Sequence, residues 1–149
     1  GGQTYRRVVL KRSQPTAGPF SELLGGGEIE LVQAMDRTPR NLFEGRFWGD
    51  LGFIHLCWDV RDMKALGEEL EAAGFPFTVD SSSSFDMGEG SGQFTYVEDP
   101  DGTGIEFVET HKIPIVKKIN WYLDTRTRPQ DKALPKWMLK MLRFSRVKD

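Results

Sequence analysis

The tightest constraint on this chain is a four-residue turn, Asp99-Pro100-Asp101-Gly102, set between two short runs of strand-forming residues. Proline pre-sets φ at the second turn position and glycine suits the last, so the chain reverses at once. Gln93 to Val97 and Gly104 to Glu109 are therefore expected to lie as neighbouring strands. Side chains alternate across a strand, which puts Ile105 and Phe107 on one face and Glu106 and Val108 on the other.

Upstream of the turn, Gly52 to Val60 is rich in β-branched and aromatic residues and reads as a strand. Ile54, Leu56, Trp58 and Val60 form an apolar packing face, and His55 points away from it with Phe53, Cys57 and Asp59. A helix follows, with Asp62 as N-cap, Met63, Leu66, Leu70 and Ala73 at helical spacing, and Gly74 ending it in the left-handed conformation. Phe75 to Val79 reads as a short strand and Ser81 to Gly92 as a polar loop. The order is strand, helix, strand, strand, strand.

A strand with a mid-strand His, a helix ending in Ala-Ala-Gly, and then Glu-Asp-Pro-Asp-Gly-Thr-Gly-Ile-Glu-Phe together resemble a module of the vicinal oxygen chelate superfamily, which includes glyoxalase I, the extradiol dioxygenases and the fosfomycin-resistance proteins. The resemblance covers residues 49 to 110 well and residues 1 to 35 more loosely, and its most specific part is Asp99 to Phe107. It implies an α+β fold in which a βαβββ module forms a cupped mixed sheet, with metal ligands on the first and last strand of each module. By that carry-over His55 and Glu106 are the ligands here, 51 residues apart.

Residues 1 to 35 read as two strands, Thr4 to Lys11 and Gly27 to Gln33, joined by a Gly- and Pro-rich connection. The second strand repeats the last strand of the module, with Ile29 matching Ile105, Glu30 matching Glu106 and Val32 matching Val108. Glu30 is then the matching ligand of a preceding module. A solvent-facing Glu30 is the competing reading, and the two weigh about evenly. A complete first module would begin with its own ligand-bearing strand and a helix, which nothing before Thr4 supplies. Arg6 and Arg7 cannot stand in, because guanidinium is a poor metal ligand. The expected organisation is a partial first module at 1–35, a linker at 36–48, a complete module at 49–110 and a basic tail at 111–149. The sheet is completed by an upstream segment or by a second chain, which makes a homodimer or a missing N-terminal module the expected partner.

The linker holds Phe43, Phe47 and Trp48, which are unusual in a free loop and are expected mostly to cover an apolar edge. Apolar residues are 38% and charged residues 28%, so the composition is that of a folded globular protein of 149 residues. No apolar run is long enough to span a bilayer. The single cysteine, Cys57, rules out an intrachain disulfide and points to a cytoplasmic setting. It is expected to be a small buried hydrophobe.

Charge is uneven: residues 1 to 110 hold 9 Lys and Arg against 19 Asp and Glu, and residues 111 to 149 hold 11 against 3. A basic tail can meet nucleic acid, an anionic membrane or an acidic partner. Its apolar content favours folding back on its own acidic body, so no nucleic acid is expected and membrane binding is disfavoured. Within the tail, Pro135 is expected to open an amphipathic helix to about Phe144, burying Leu134, Trp137, Met138, Met141 and Leu142. His111 is expected to be exposed.

Imidazole and two carboxylates suit a divalent ion such as Zn, Ni, Co, Mn or Fe with positions open to substrate. The resemblance then implies a glyoxalase-like lyase or isomerase acting on a small carbonyl compound, with His55, Glu106 and Glu30 on the metal and Glu106 or Glu30 moving the proton. The alternatives are a non-catalytic small-molecule-binding module of the same fold, or an extradiol-type dioxygenase, which would want a second His.

Overall fold

The computed structural model describes residues 2–14, 17–23, 27–81, 85–87, 90–129 and 131–142. The chain divides into two compact units, Gly1–Leu42 with Pro129–Leu134, and Phe43–Arg128 with Pro135–Asp149.

The first unit is built on an antiparallel pair, β1 (Tyr5–Lys11) and β2 (Glu28–Ala34), both within a residue or so of their expected bounds. Tyr5 lies opposite Ala34 and Lys11 opposite Glu28. The open end is tied by Thr4 N–H to Asp36 Oδ2 (2.9 Å) and Met35 N–H to the Thr4 carbonyl (3.0 Å). One face carries the cross-strand ion pairs Arg7–Glu30 and Lys11–Glu28. The other aligns Val8 with Leu31 and Leu10 with Ile29. Val8, Leu10 and Leu31 on that face are 45%, 50% and 51% exposed, so the pair presents an apolar surface. Leu134, in the same unit, is buried and donates its N–H to the Pro19 carbonyl at 2.9 Å.

In the second unit a mixed sheet is arranged around one long strand. Its elements are β3 (His55–Asp59), α1 (Met63–Ala72), β4 (Val79–Asp80), β5 (Phe85–Met87), β6 (Gly90–Glu98), β7 (Gly104–Val116), β8 (Trp121–Asp124) and α2 (Lys136–Met141). The strand path is β3-β7-β6-β4, with β5 also on β6 and β8 also on β7. β3 runs parallel to β7 and the other pairs are antiparallel. This is the βαβββ-like mixed sheet expected of residues 49 to 110, with further strands and a helix on its flanks.

The turn closes as expected: Gly102 N–H bonds the Asp99 carbonyl (2.9 Å), while Asp99 Oδ1 accepts from the amides of Asp101 (2.9 Å) and Thr103 (2.7 Å). Asp62 caps α1 by accepting from Ala65 N–H at 3.2 Å, and Gly74 takes a φ of 88° beyond its end. Asp62 itself adopts φ 57°, a left-handed conformation that a short polar side chain tolerates. Three expectations differ. Phe75 to Thr78 is not strand, and pairing begins only at Val79. Part of the expected Ser81–Gly92 loop pairs instead, as β5 and the start of β6, while residues 82–84, 88 and 89 lie outside the described set. The last strand does not stop at Glu109 but runs on to Val116, because β8 supplies it with a second partner.

Alternation along Gly104–Thr110 of β7 separates two faces, and the register then shifts at His111 and again at Ile115. Thr95 and Val97 of β6 and His111 and Ile115 of β7 are closed from solvent, as is Met63 at the start of α1. Glu109 contacts the His111 ring and reaches the first turn of α1, accepting from Asp62 N–H (3.1 Å) and Met63 N–H (3.2 Å). The helix therefore starts on the face that carries the core. Trp58, expected in that apolar layer, is 43% exposed. Met138 of α2 is buried within the unit. Trp137 departs from expectation: it is 55% exposed, stacked on Trp121 at 6.1 Å between centroids. Phe144 lies outside the described residues.

Candidate functional site

The face of the sheet opposite the core is where the polar and aromatic groups gather. Register does most of the placement. Cys57 of β3 and Tyr96 of β6 both lie level with Glu106 of β7, one on each side, and His55 is one step along β3, opposite Gly104. Since residues level with one another across a sheet share a face, three side chains from adjacent strands converge on the Glu106 carboxylate.

His55 Nε2 lies 3.0 Å from Glu106 Oε2, and Tyr96 Oη donates to Glu106 Oε1 at 2.8 Å. Cys57 lies level with Glu106 on the neighbouring strand. Burial, together with Glu106 and the negative charge of Asp59, pushes the Cys57 thiol up to about 11. Burial together with Glu106 pushes the Tyr96 phenol up to about 12. Both groups are thus protonated donors at neutral pH. Cys57 is not the buried hydrophobe expected but an exposed residue on this face.

Trp48 packs against His55 (5.6 Å between centroids) and edge-on to Tyr96 (6.0 Å), while remaining 70% exposed. Its loop is turned by Gly45 and Gly49, with φ of 72° and 99°, values that favour glycine. Phe47 beside it is 80% exposed and does not cover an apolar edge as expected, since its backbone is held in a turn with Asp50. Beneath Trp48, His55 Nδ1 is buried with no hydrogen-bond partner among the described residues.

Of the residues singled out in the sequence, His55 and Glu106 are brought together. Glu30 lies in the first unit, where Arg7 holds both its oxygens, Nε to Oε1 at 2.5 Å and Nη2 to Oε2 at 2.9 Å. That contact draws the Glu30 carboxyl below its ordinary value. His111 is not exposed: it is 7% accessible, on the core face, with Nε2 3.6 Å from Glu109 Oε2. It therefore lies on the other side of the sheet from His55.

A separation of 3.0 Å between an imidazole nitrogen and a carboxylate oxygen is that of a direct hydrogen bond or ion pair. Imidazole and carboxylate are donor types that suit a divalent ion. Among the described residues no group of three or more His, Cys, Asp or Glu is close enough to hold an ion.

Tyr96 was not singled out in the sequence, although a signal for it exists. Counting outward from the Asp99–Gly102 turn, Glu98 falls opposite Gly104 and hence Tyr96 opposite Glu106. No family model matches the sequence, and no curated protein matches it. A glyoxalase family protein of known structure from Enterococcus faecalis is similar over 58% of this chain and 62% of its own length, at 24% identity and a TM-score of 0.45. A second solved structure, SMU.1112c, is similar over 55% of this chain and 62% of its own, at 25% identity and a TM-score of 0.43. The chain thus spans less than two thirds of either protein.

Proposed function

We propose that this chain carries a glyoxalase-like site, a lyase or isomerase centre for a small carbonyl compound, in which His55 and Glu106 are two ligands of a divalent ion. The carrying observation is the convergence of these side chains, 51 residues apart in sequence, to 3.0 Å on one sheet face. Such an ion, when bound, supplies a Lewis acid that polarises a carbonyl and stabilises an enediolate. The chain's own residues do the rest. Tyr96, protonated at neutral pH, holds the Glu106 carboxylate level with the imidazole. Its single hydroxyl proton is given to Glu106 Oε1, so Tyr96 acts through that carboxylate. A carboxylate, Glu106 or Glu30, is the proton acceptor in this reading; Glu30 serves only by giving up Arg7.

Metal content tests the reading. Purified wild type is expected to hold a stoichiometric divalent ion, and His55→Ala and Glu106→Gln to lose most of it. Equal metal in all three proteins removes the site. A non-catalytic binding module is the second reading, favoured by the shortage of a third donor among the described residues. Extradiol chemistry draws less support, because His111 faces the core rather than His55. The apolar face of the β1–β2 pair further supports a homodimer or a missing N-terminal module as the completing partner.

A further inference from the structure

The Lys117–Ile119 turn and the outer side of α2 form a surface that the carbonyl-site reading does not use. Lys117–Ile119 is a single 3-10 turn between β7 and β8, closed by Asn120, whose N–H bonds the Lys117 carbonyl at 3.0 Å from a left-handed conformation (φ 55°). Ile119 is 70% exposed at this turn. Two residues on, Trp121 opens β8 and stacks on Trp137 of α2, with 24° between the ring planes. Trp137 thus has one partner ring and still exposes 55% of its surface. Lys117 and Lys118 precede Ile119, and Lys136 and Lys140 flank Trp137 on the helix, all four exposed.

We propose that this surface docks the protein on an anionic lipid bilayer. An exposed aliphatic side chain at a turn and a half-exposed indole beside it are suited to the headgroup and acyl boundary, where tryptophan is enriched. The surrounding lysines match the negative surface potential of anionic lipid. Neither signal suffices alone, and membrane association of a folded domain takes both. No described helix is long and apolar enough to cross a membrane. Nucleic acid fits less well: isoleucine offers no ring for a base, and one exposed indole is a short stacking platform. The burial expected for Trp137 argued against a membrane role; its outward setting reverses that argument.

Flotation of the full chain with vesicles of phosphatidylcholine, with and without phosphatidylserine, tests this. Wild type is expected to float only with the phosphatidylserine vesicles, and less as salt is raised. Each lysine removed lowers partitioning about fivefold, so the Lys117→Ala/Lys118→Ala protein should bind about 25-fold more weakly. Ile119→Asn should weaken binding with an unchanged melting curve, and Lys64→Ala, an exposed lysine of α1, should bind as wild type does. Failure of wild type to float with phosphatidylserine overturns the proposal, as does undiminished binding by both surface variants. Retention on a single-stranded oligonucleotide without flotation assigns the surface to nucleic acid instead.

Discussion

Glu106 accepts from Tyr96, faces His55 and lies level with Cys57, so each neighbour's chemistry depends on the others. Cys57 reports this most directly. With its thiol pushed up to about 11, far less thiolate is present at neutral pH than for a free cysteine near 8.5. Alkylation by iodoacetamide at pH 7 is expected to run about a hundredfold or more below a free thiol and to accelerate until the pH passes about 11. Glu106→Gln removes the nearest negative charge and should speed it. A wild-type rate equal to that of a free thiol would disprove the arrangement. His55 and Glu106 were legible as a pair only through the resemblance, which implies ligands on the first and last strands of the module; strand parity gave the face of each. Glu30 was legible as a repeat, but its occupation by Arg7 depends on register between β1 and β2, where Arg7 is offset by one rung from its level position.

Among the elements, α1 and β8 are joined to β7 by side chains rather than by apolar contact alone. Glu109 caps the first turn of α1 with both oxygens, a charge placed where the helix dipole favours it. Glu109→Ala is expected to cost about 1.5–3 kcal/mol in urea denaturation, with Glu109→Gln losing less. A change under about 0.5 kcal/mol would show that water replaces the cap. On β8, Arg126 holds Asp124 well down, to about 2, mainly by its side-chain hydrogen bonds. Because the folded value is depressed, the stabilisation is complete above about pH 4 and disappears as pH falls through about 2. The pair is exposed and salt-screened, so the effect is small. Melting of wild type and Asp124→Asn should differ at pH 7 in low salt and converge near pH 2; a constant gap would assign the difference to something other than ionisation. The α1 boundaries were legible because capping is local. The extension of β7 to Val116 was not, since it depends on pairing with a further strand, Trp121–Asp124, beyond the intervening turn.

For the whole molecule, the β1–β2 pair leaves Val8, Leu10 and Leu31 about half exposed on one face. An isolated two-stranded pair is marginal in water, and such a surface is normally covered. The chain is accordingly expected to sediment as a dimer or larger at micromolar concentration, or to unfold readily by itself. A stable monomer would count against the missing-partner organisation.

Local chemistry was enough for the turn at Asp99–Gly102, the caps of α1, the two strands of the first unit and the facing of His55 and Glu106, because each depends on neighbours within a few residues. Parity gave the side on which a side chain lies, but not what stands opposite it. That Tyr96 and Cys57 flank Glu106, that Trp48 lies over His55, and that His111 is closed into the core were decided by the register of β3, β6 and β7 and by a loop laid across them. Trp137 follows the same rule: its helical spacing marked an apolar stripe, while the stacking on Trp121 decided which part of that stripe stays in water. Spacing along a chain sets direction, whereas burial depends on which distant segment arrives to cover it.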